Sequence, residues 1–280
     1  MSATTTELLF LGLPETGKTT FFVALDEVIQ RQTDKHGLTS DGFASNRSYI
    51  EGAKKLWRAG KPVGRTIQVL EERVELLVKH SQTNNKIRLT APDVSGELFD
   101  AQWADRKWPV AYRERLGSVA GVFVFINAAN NGRNSEISGA WINHLSDATA
   151  PQTKPWTPRE AAKQVKLVDL LQFISEQGQT RKPLPLVVML SAWDLVGSKT
   201  DLKEHPEKFL ARDWSLLDQY LKANPEVFRS RIYGVSARGG NDEAQAALAL
   251  LPAHERVWLR DGHEVTKDLT RPLRWLLGLE

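Results

Sequence analysis

The chain has 280 residues, 41% apolar and 25% charged, with a net charge of +3. That is enough chain to bury a proper core, and it excludes a disordered chain, a fibre and a low-complexity scaffold. With 0 cysteines, disulfides and thiolate metal sites are excluded as well.

The elements fall in a clear order. Leu8-Leu9-Phe10-Leu11 reads as a short buried strand that ends in a glycine loop. Thr19 to Gln32 reads as a helix, with Phe22, Leu25, Val28 and Ile29 at helical spacing. Residues 33–65 are polar and glycine-punctuated, and one helix is expected there, from about Ala44 to Ala59. Val74–Val78 and Ile87–Ala91 read as two strands, and Asn84-Asn85 between them predicts a hairpin. Gly121–Ile126 is an apolar strand. Residues 128–157 form a long irregular stretch rich in Asn, Gly, Thr and Pro. A helix is predicted from about Pro158 to Glu176, a strand over Leu186–Leu190 and helix over residues 206–223. Ile232–Val235 is the last expected strand. The tail, about 241–280, is expected to be a helical extension, with helices near 242–251 and 271–278.

Short apolar strands alternating with helices predict one α/β domain over residues 1–280. Its sheet is expected to have six mostly parallel strands, one of them antiparallel, with helices on both faces. Residues 33–65 and 128–157 are expected to be insertions. No apolar run approaches the length that spans a bilayer. The N-terminus lacks a basic region and an apolar signal core, which predicts a cytoplasmic protein. The basic residues are spread along the chain, so no nucleic-acid partner is indicated.

The strongest chemical signal is Gly12-Leu13-Pro14-Glu15-Thr16-Gly17-Lys18-Thr19. It matches G-x-x-x-x-G-K-[ST] in full, between a buried strand and an amphipathic helix. Gly12 and Gly17 let the loop wrap a phosphate without Cβ clashes. Backbone N–H groups from Glu15, Thr16, Gly17, Lys18, Thr19 and Thr20 can point at phosphate oxygens, aided by the helix dipole. Lys18 would reach the β- and γ-phosphates, and the Thr19 hydroxyl would ligate Mg²⁺.

Asp93-Val94-Ser95-Gly96-Glu97 follows the third strand. Asp93 can hold a Mg²⁺-bound water, and the Gly96 N–H can meet a γ-phosphate. Ser191-Ala192-Trp193-Asp194 and Ser236-Ala237-Arg238 end the next two strands. In this order the motifs resemble those of Ras-like GTPases of the translation-factor-related (TRAFAC) class, over about residues 7 to 240. The flavour of G-L-P-E-T-G-K-T-T with S-A-W-D is similar to the bacterial double-GTPase family, proteins predicted to act in conflict or defence systems.

The resemblance implies that Asp194 accepts hydrogen bonds from the guanine N1–H and amine, and that Ser236-Ala237 bring a backbone N–H to O6. The chain departs from the family where Asn-Lys is expected. Ser191 can replace some of the Asn bonding, but Ala192 cannot replace the Lys stem over the base; Trp193 or Arg238 could cover a base face instead, and Trp193 could equally belong to the core. The switch threonine is expected at Thr66, with Thr39 the alternative, and Thr66 would bind Mg²⁺ and the γ-phosphate. Arg65 would act as an arginine finger, and Glu97, where the family usually carries Gln, would position the attacking water or else begin the following helix. Lys107 is another cation that could assist Glu97.

His36, His80 and His144 show no metal-ligand spacing. Trp103, Trp108 and Trp141, among 9 tryptophans, are candidates for a partner surface. The reading that follows is a GTP/GDP switch with slow Mg²⁺-dependent hydrolysis, regulating an effector or activated by one. An ATPase, or a nucleotide-gated binding module with negligible turnover, are the alternatives.

Overall fold

The computed structural model describes residues 5–31, 37–44, 47–63, 74–91, 103–106, 118–129, 157–158, 161–177, 183–196, 205–240 and 243–279. The sheet is built from β1 (Thr5–Gly12), β2 (Leu38–Phe43), β3 (Val74–His80), β4 (Lys86–Ala91), β5 (Val119–Asn127), β6 (Leu184–Ser191), β7 (Phe228–Ser236), β8 (Trp258–Asp261) and β9 (Glu264–Thr266). Their spatial order is β2-β3-β4-β1-β5-β6-β7-β8-β9. The central strands β4, β1, β5, β6 and β7 are mutually parallel. β3 and β8 run against the rest.

The helices are α1 (Lys18–Arg31), α2 (Arg47–Arg58), α3 (Lys163–Gln177), α4 (Trp193–Val196), α5 (Pro206–Asp213), α6 (Ser215–Ala223), α7 (Gln245–Ala249), α8 (Ala253–Arg256) and α9 (Arg271–Leu277). Period-two alternation along the central strands sorts their side chains onto two faces. Leu8, Phe10, Phe123, Phe125, Val187 and Met189 face α1, α2 and α9. Leu9, Leu11, Val122, Val124, Ile126 and Val188 face α3, α5 and α6. Both faces are dry, which is why these strands read as continuous apolar runs.

A phenylalanine cluster seats α1 on the sheet directly behind the glycine loop. The Phe10 ring lies 4.4 Å from those of Phe22 and Phe123, and Phe21 lies 5.3 Å from Phe125. Such pairs contribute about 0.5–1.5 kcal/mol each beyond their burial.

Several elements differ from the sequence reading. Among the described residues the sheet has nine strands where six were expected, and two run opposite to the rest where one was expected. β2 lies inside the 33–65 stretch. It is an edge strand whose only buried residues are Leu38 and Phe43, and its ladder is interrupted between Ser40 and Gly42, so no clean alternation marks it. The tail is not wholly helical: between α8 and α9 the chain forms the β8–β9 hairpin, turning at Gly262-His263, so β7 is not the last strand.

The helix expected from Pro158 begins at Lys163; Pro158 sits in a separate turn closed by Ala161 N–H to Pro158 O at 3.1 Å. The 206–223 helix is two helices, broken at Trp214 (φ −131°, ψ 46°). Gln164 spans the break, donating to Asp213 O at 3.2 Å and accepting from Leu216 N–H at 3.0 Å. Residues 130–156 of the expected second insertion lie outside the described residues.

Candidate nucleotide-binding site

The glycine loop joins the carboxyl end of β1 to the first turn of α1. Gly12 adopts φ +144°, and a Cβ there would stand 2.6 Å from Phe125 O, so the position accepts only glycine. Glu15 (φ 60°) and Gly17 (φ 83°) are also left-handed, which folds the loop into a backbone cradle before the helix starts. Thr16 closes it from inside, its hydroxyl donating to Leu13 O at 2.8 Å. Lys18 Nζ lies over the loop, donating to Gly12 O at 2.8 Å and Leu13 O at 2.9 Å. The first turn of α1 holds no acidic residue, so its dipole is not offset there. Thr19 and Thr20 are half-buried in that turn. An amine, a hydroxyl and a helix N-terminus around a glycine cradle form a phosphate-binding arrangement.

The ends of β5 and β6 brace this loop. Asn127 donates through Nδ2 to Glu15 O at 3.2 Å and accepts from Ala129 N–H at 3.0 Å. Ser191 donates to Ile126 O at 3.2 Å, and its Oγ would stand 3.2 Å from a Cβ on Gly17. Ser191 is therefore directed at the phosphate loop. Asn127 was not singled out in the sequence; its one signal is a polar amide closing the apolar run of β5.

After Ser191 the chain turns through Ala192 in a left-handed conformation (φ 53°) and enters α4. Asp194 is half-buried in its first turn. Trp193 takes the core alternative. It is 4% exposed, meets Phe209 edge-on at 5.3 Å and packs so closely on Gly234 that a Cβ there would come within 2.6 Å of the indole. It belongs to the core, and no face is left for a base.

At the end of β7, Ser236 is fully buried and accepts from Gly239 N–H at 3.0 Å. Ala237 O accepts from the Trp57 indole at 2.6 Å, and Arg238 Nε donates to Gly60 O at 2.9 Å. The paired positions Asn127–Ser191 and Ser191–Val235 bring the ends of β5, β6 and β7 level. The loops after β1, β6 and β7 thus share one edge of the sheet, where parallel α/β sheets carry their ligands.

Arg65, Thr66, Asp93, Gly96, Glu97 and Lys107 lie outside the described residues, as do His36, His144, Trp108 and Trp141. Thr39 is a ladder residue of β2, paired with Lys79 in the strand register. His80 accepts from Thr83 N–H at 3.3 Å in the β3–β4 turn. Trp103 donates to Pro158 O and carries the Arg106 guanidinium over its ring at 4.8 Å. Among the described residues no three His, Asp or Glu side chains gather as a metal site, and no helix is long and apolar enough to cross a membrane.

Two buried acids fix the far half of α1. Asp26 pairs with Lys54 at 2.7 Å, accepts from Gln30 at 3.0 Å and accepts from the Ser40 hydroxyl. Glu27 pairs with Arg58 at 2.8 Å. Burial pushes the Glu27 carboxyl up, but the Arg58 hydrogen bond and the charges of Arg58 and Arg31 hold it below its ordinary value. The same bond raises Arg58. Arg256 moves the other way, lowered first by burial and then by the Arg238 charge.

Solved structures similar to the chain include the Arl6 BBS3 small GTPase from Trypanosoma brucei with bound nucleotide analogue GppNp, at 10% identity over 90% of this chain and 99% of that one, TM-score 0.41. The elongation factor SelB from Methanococcus maripaludis, in complex with the GTP analogue GppNHp, is similar at 12% identity over 89% of this chain, TM-score 0.40; the match spans 34% of that chain. The GTPase-like domain of Ski7 from S. cerevisiae, bound to GDP and inorganic phosphate, shows 14% identity over 84% of this chain and 43% of its own, TM-score 0.41. No curated protein matches the chain. The model of the family described as Double-GTPase 1 matches residues 9–276, a span that takes in the phosphate loop and every strand end described above. The chain belongs to the Double-GTPase 1 family and is a P-loop GTPase.

Proposed function

We propose that the whole chain works as one guanine-nucleotide switch: it binds GTP with Mg²⁺, hydrolyses it slowly to GDP and phosphate, and presents the two states to a partner protein. The observation that carries this reading is the glycine cradle at Gly12–Gly17, with Lys18 over it and the first turn of α1 behind it. Backbone N–H groups there bind and orient the phosphates, and Lys18 offsets the charge that develops on transfer.

Thr19 supplies the hard oxygen that a Mg²⁺ ion takes, and Thr66 and Asp93 are the proposed further holders. An ion held there would supply positive charge to offset that of the phosphates. In this reading Gly96 meets the γ-phosphate through its N–H, Glu97 orients water, and Arg65 supplies a transition-state cation.

The Asp194 carboxylate accepts from guanine N1–H and the amine, while the Ala237 N–H donates to O6. Adenine offers no such donor pair to Asp194. The companion reading, an ATPase, draws on two observations: Ala192 has no stem to cover a base, and Trp193 is buried. A role in bacterial conflict or defence, in line with family membership, and a cytoplasmic location complete the proposal.

The test is Lys18→Ala. The account expects the variant to fold, to lose fluorescent GDP binding and to lose phosphate release from GTP. Wild-type affinity in the variant would show that the loop does not hold phosphate.

A further inference from the structure

The loop after β7 is held from outside by α2, a helix that carries no nucleotide motif. The Trp57 indole N–H donates to Ala237 O at 2.6 Å, across 180 residues of chain, and its ring is 1% exposed. Contacts return in the other direction. α2 ends in a turn around Gly60 (φ 71°), with Gly60 N–H to Trp57 O and Lys61 N–H to Leu56 O, both 2.9 Å. Such an end leaves carbonyls that need donors. Arg238 Nε gives one to Gly60 O at 2.9 Å, and Arg256 Nη2 gives one to Arg58 O at 2.7 Å. The Arg256 guanidinium also lies over the Trp57 ring at 5.5 Å. Helix end and loop are therefore clasped by two bonds running in opposite directions, and Arg256 of α8 adds a third bond to the helix end.

The clasp acts on one peptide in particular. Trp57 fixes the carbonyl of the Ala237–Arg238 peptide. The preceding peptide contains the Ala237 N–H, and it is pinned on its other side by fully buried Ser236. Between these anchors the Ala237 N–H has little freedom of direction. A hydrogen bond weakens steeply once its angle is lost, so a donor aimed in advance discriminates better than a mobile one.

We infer that Trp57 is a positioning residue for base recognition, aiming the Ala237 N–H at the 6-oxygen of a guanine through its bond to the Ala237 carbonyl. This rests on the guanine reading proposed above. A packing role alone would move all nucleotides together. A positioning role moves the one contact at position 6.

The probe is 6-thioguanosine diphosphate, which keeps the N1–H and amine offered to Asp194 and replaces O6 with sulfur, a weak acceptor. GDP, ADP and 6-thioguanosine diphosphate are titrated with Mg²⁺ into wild type and Trp57→Phe. The ratio of two affinities in one variant is insensitive to any misfolded fraction. Wild type is expected to prefer GDP over the thio analogue by about fivefold, the value of one neutral hydrogen bond, and Trp57→Phe to bring that ratio close to one. If wild type prefers GDP over ADP yet both proteins show the same GDP-to-thio ratio, the positioning role is overturned while the guanine reading stands. If wild type binds ADP as tightly as GDP, the guanine reading falls and takes this inference with it. Should Trp57→Phe not fold, 3-benzothienylalanine at position 57 keeps the ring shape and removes only the N–H, and the same ratios decide.

Discussion

Lys54 and Asp26 form an ion pair shut away from water: Nζ lies 2.7 Å from Oδ2, with side-chain exposures of 7% and 0%. It joins α1, which carries the phosphate loop, to α2, which clasps the loop after β7. Removing Asp26 leaves the Lys54 charge buried, with only the exposed Glu51 carboxylate at 3.5 Å to offset it. Asp26→Ala is therefore expected to cost about 3–5 kcal/mol in urea unfolding, and Asp26→Ala with Lys54→Met to recover at least half of that. A single-variant loss below about 1 kcal/mol would contradict the buried pair.

Glu27 gives a pH dependence. Its folded-state pKa lies below the ordinary value of 4.5, through Arg58 and Arg31 and against burial. A depressed carboxylate stabilises the fold above its unfolded pKa, and that contribution is lost as pH falls through the folded one. Glu27→Gln should be less stable than wild type near neutrality, by about 1–2 kcal/mol. The gap should narrow once pH drops below about 4.5. A gap that widens in acid reverses the sign and rejects the assignment.

Ala192 holds φ 53° at the turn into α4. The left-handed region costs an L-residue about 1–2 kcal/mol, and glycine gives back roughly 0.5–1 kcal/mol in chain entropy. Ala192→Gly is expected to raise stability by about 0.5–1 kcal/mol, read as a higher melting temperature. A lower one means that the methyl group makes contacts worth more than the strain.

The central strands were legible because burial on both faces writes itself as an unbroken apolar run, as in Leu8–Leu11 and Leu186–Leu190. The phosphate loop was legible because its glycines and lysine have few alternatives. Edge strands left no such trace: β2 buries only Leu38 and Phe43, and β9 buries none of its residues. For Trp193 the sequence left a base-facing ring and a core ring equally open, and the space above Gly234 decides for the core. The part played by Trp57 was invisible, since helical periodicity shows that a face is buried but not which carbonyl, 180 residues away, it meets.

Asp194→Asn tests the base end of the proposal. An Asn amide can donate where xanthine carries a carbonyl. The variant is expected to bind GDP roughly 10–100-fold more weakly, in line with losing charged hydrogen bonds, and to gain on xanthosine diphosphate. An unchanged guanine-to-xanthine ratio would show that Asp194 does not touch the base.

The central claim is that the Gly12–Thr19 loop and the strand-end motifs together hold a guanine nucleotide. Calorimetric titration of the purified wild-type chain with GDP and with ADP, each with Mg²⁺, tests it most directly. The account predicts stoichiometric GDP binding at least about tenfold tighter than ADP, a difference of roughly 1.4 kcal/mol. ADP binding as tight as GDP, or no heat from either, contradicts it.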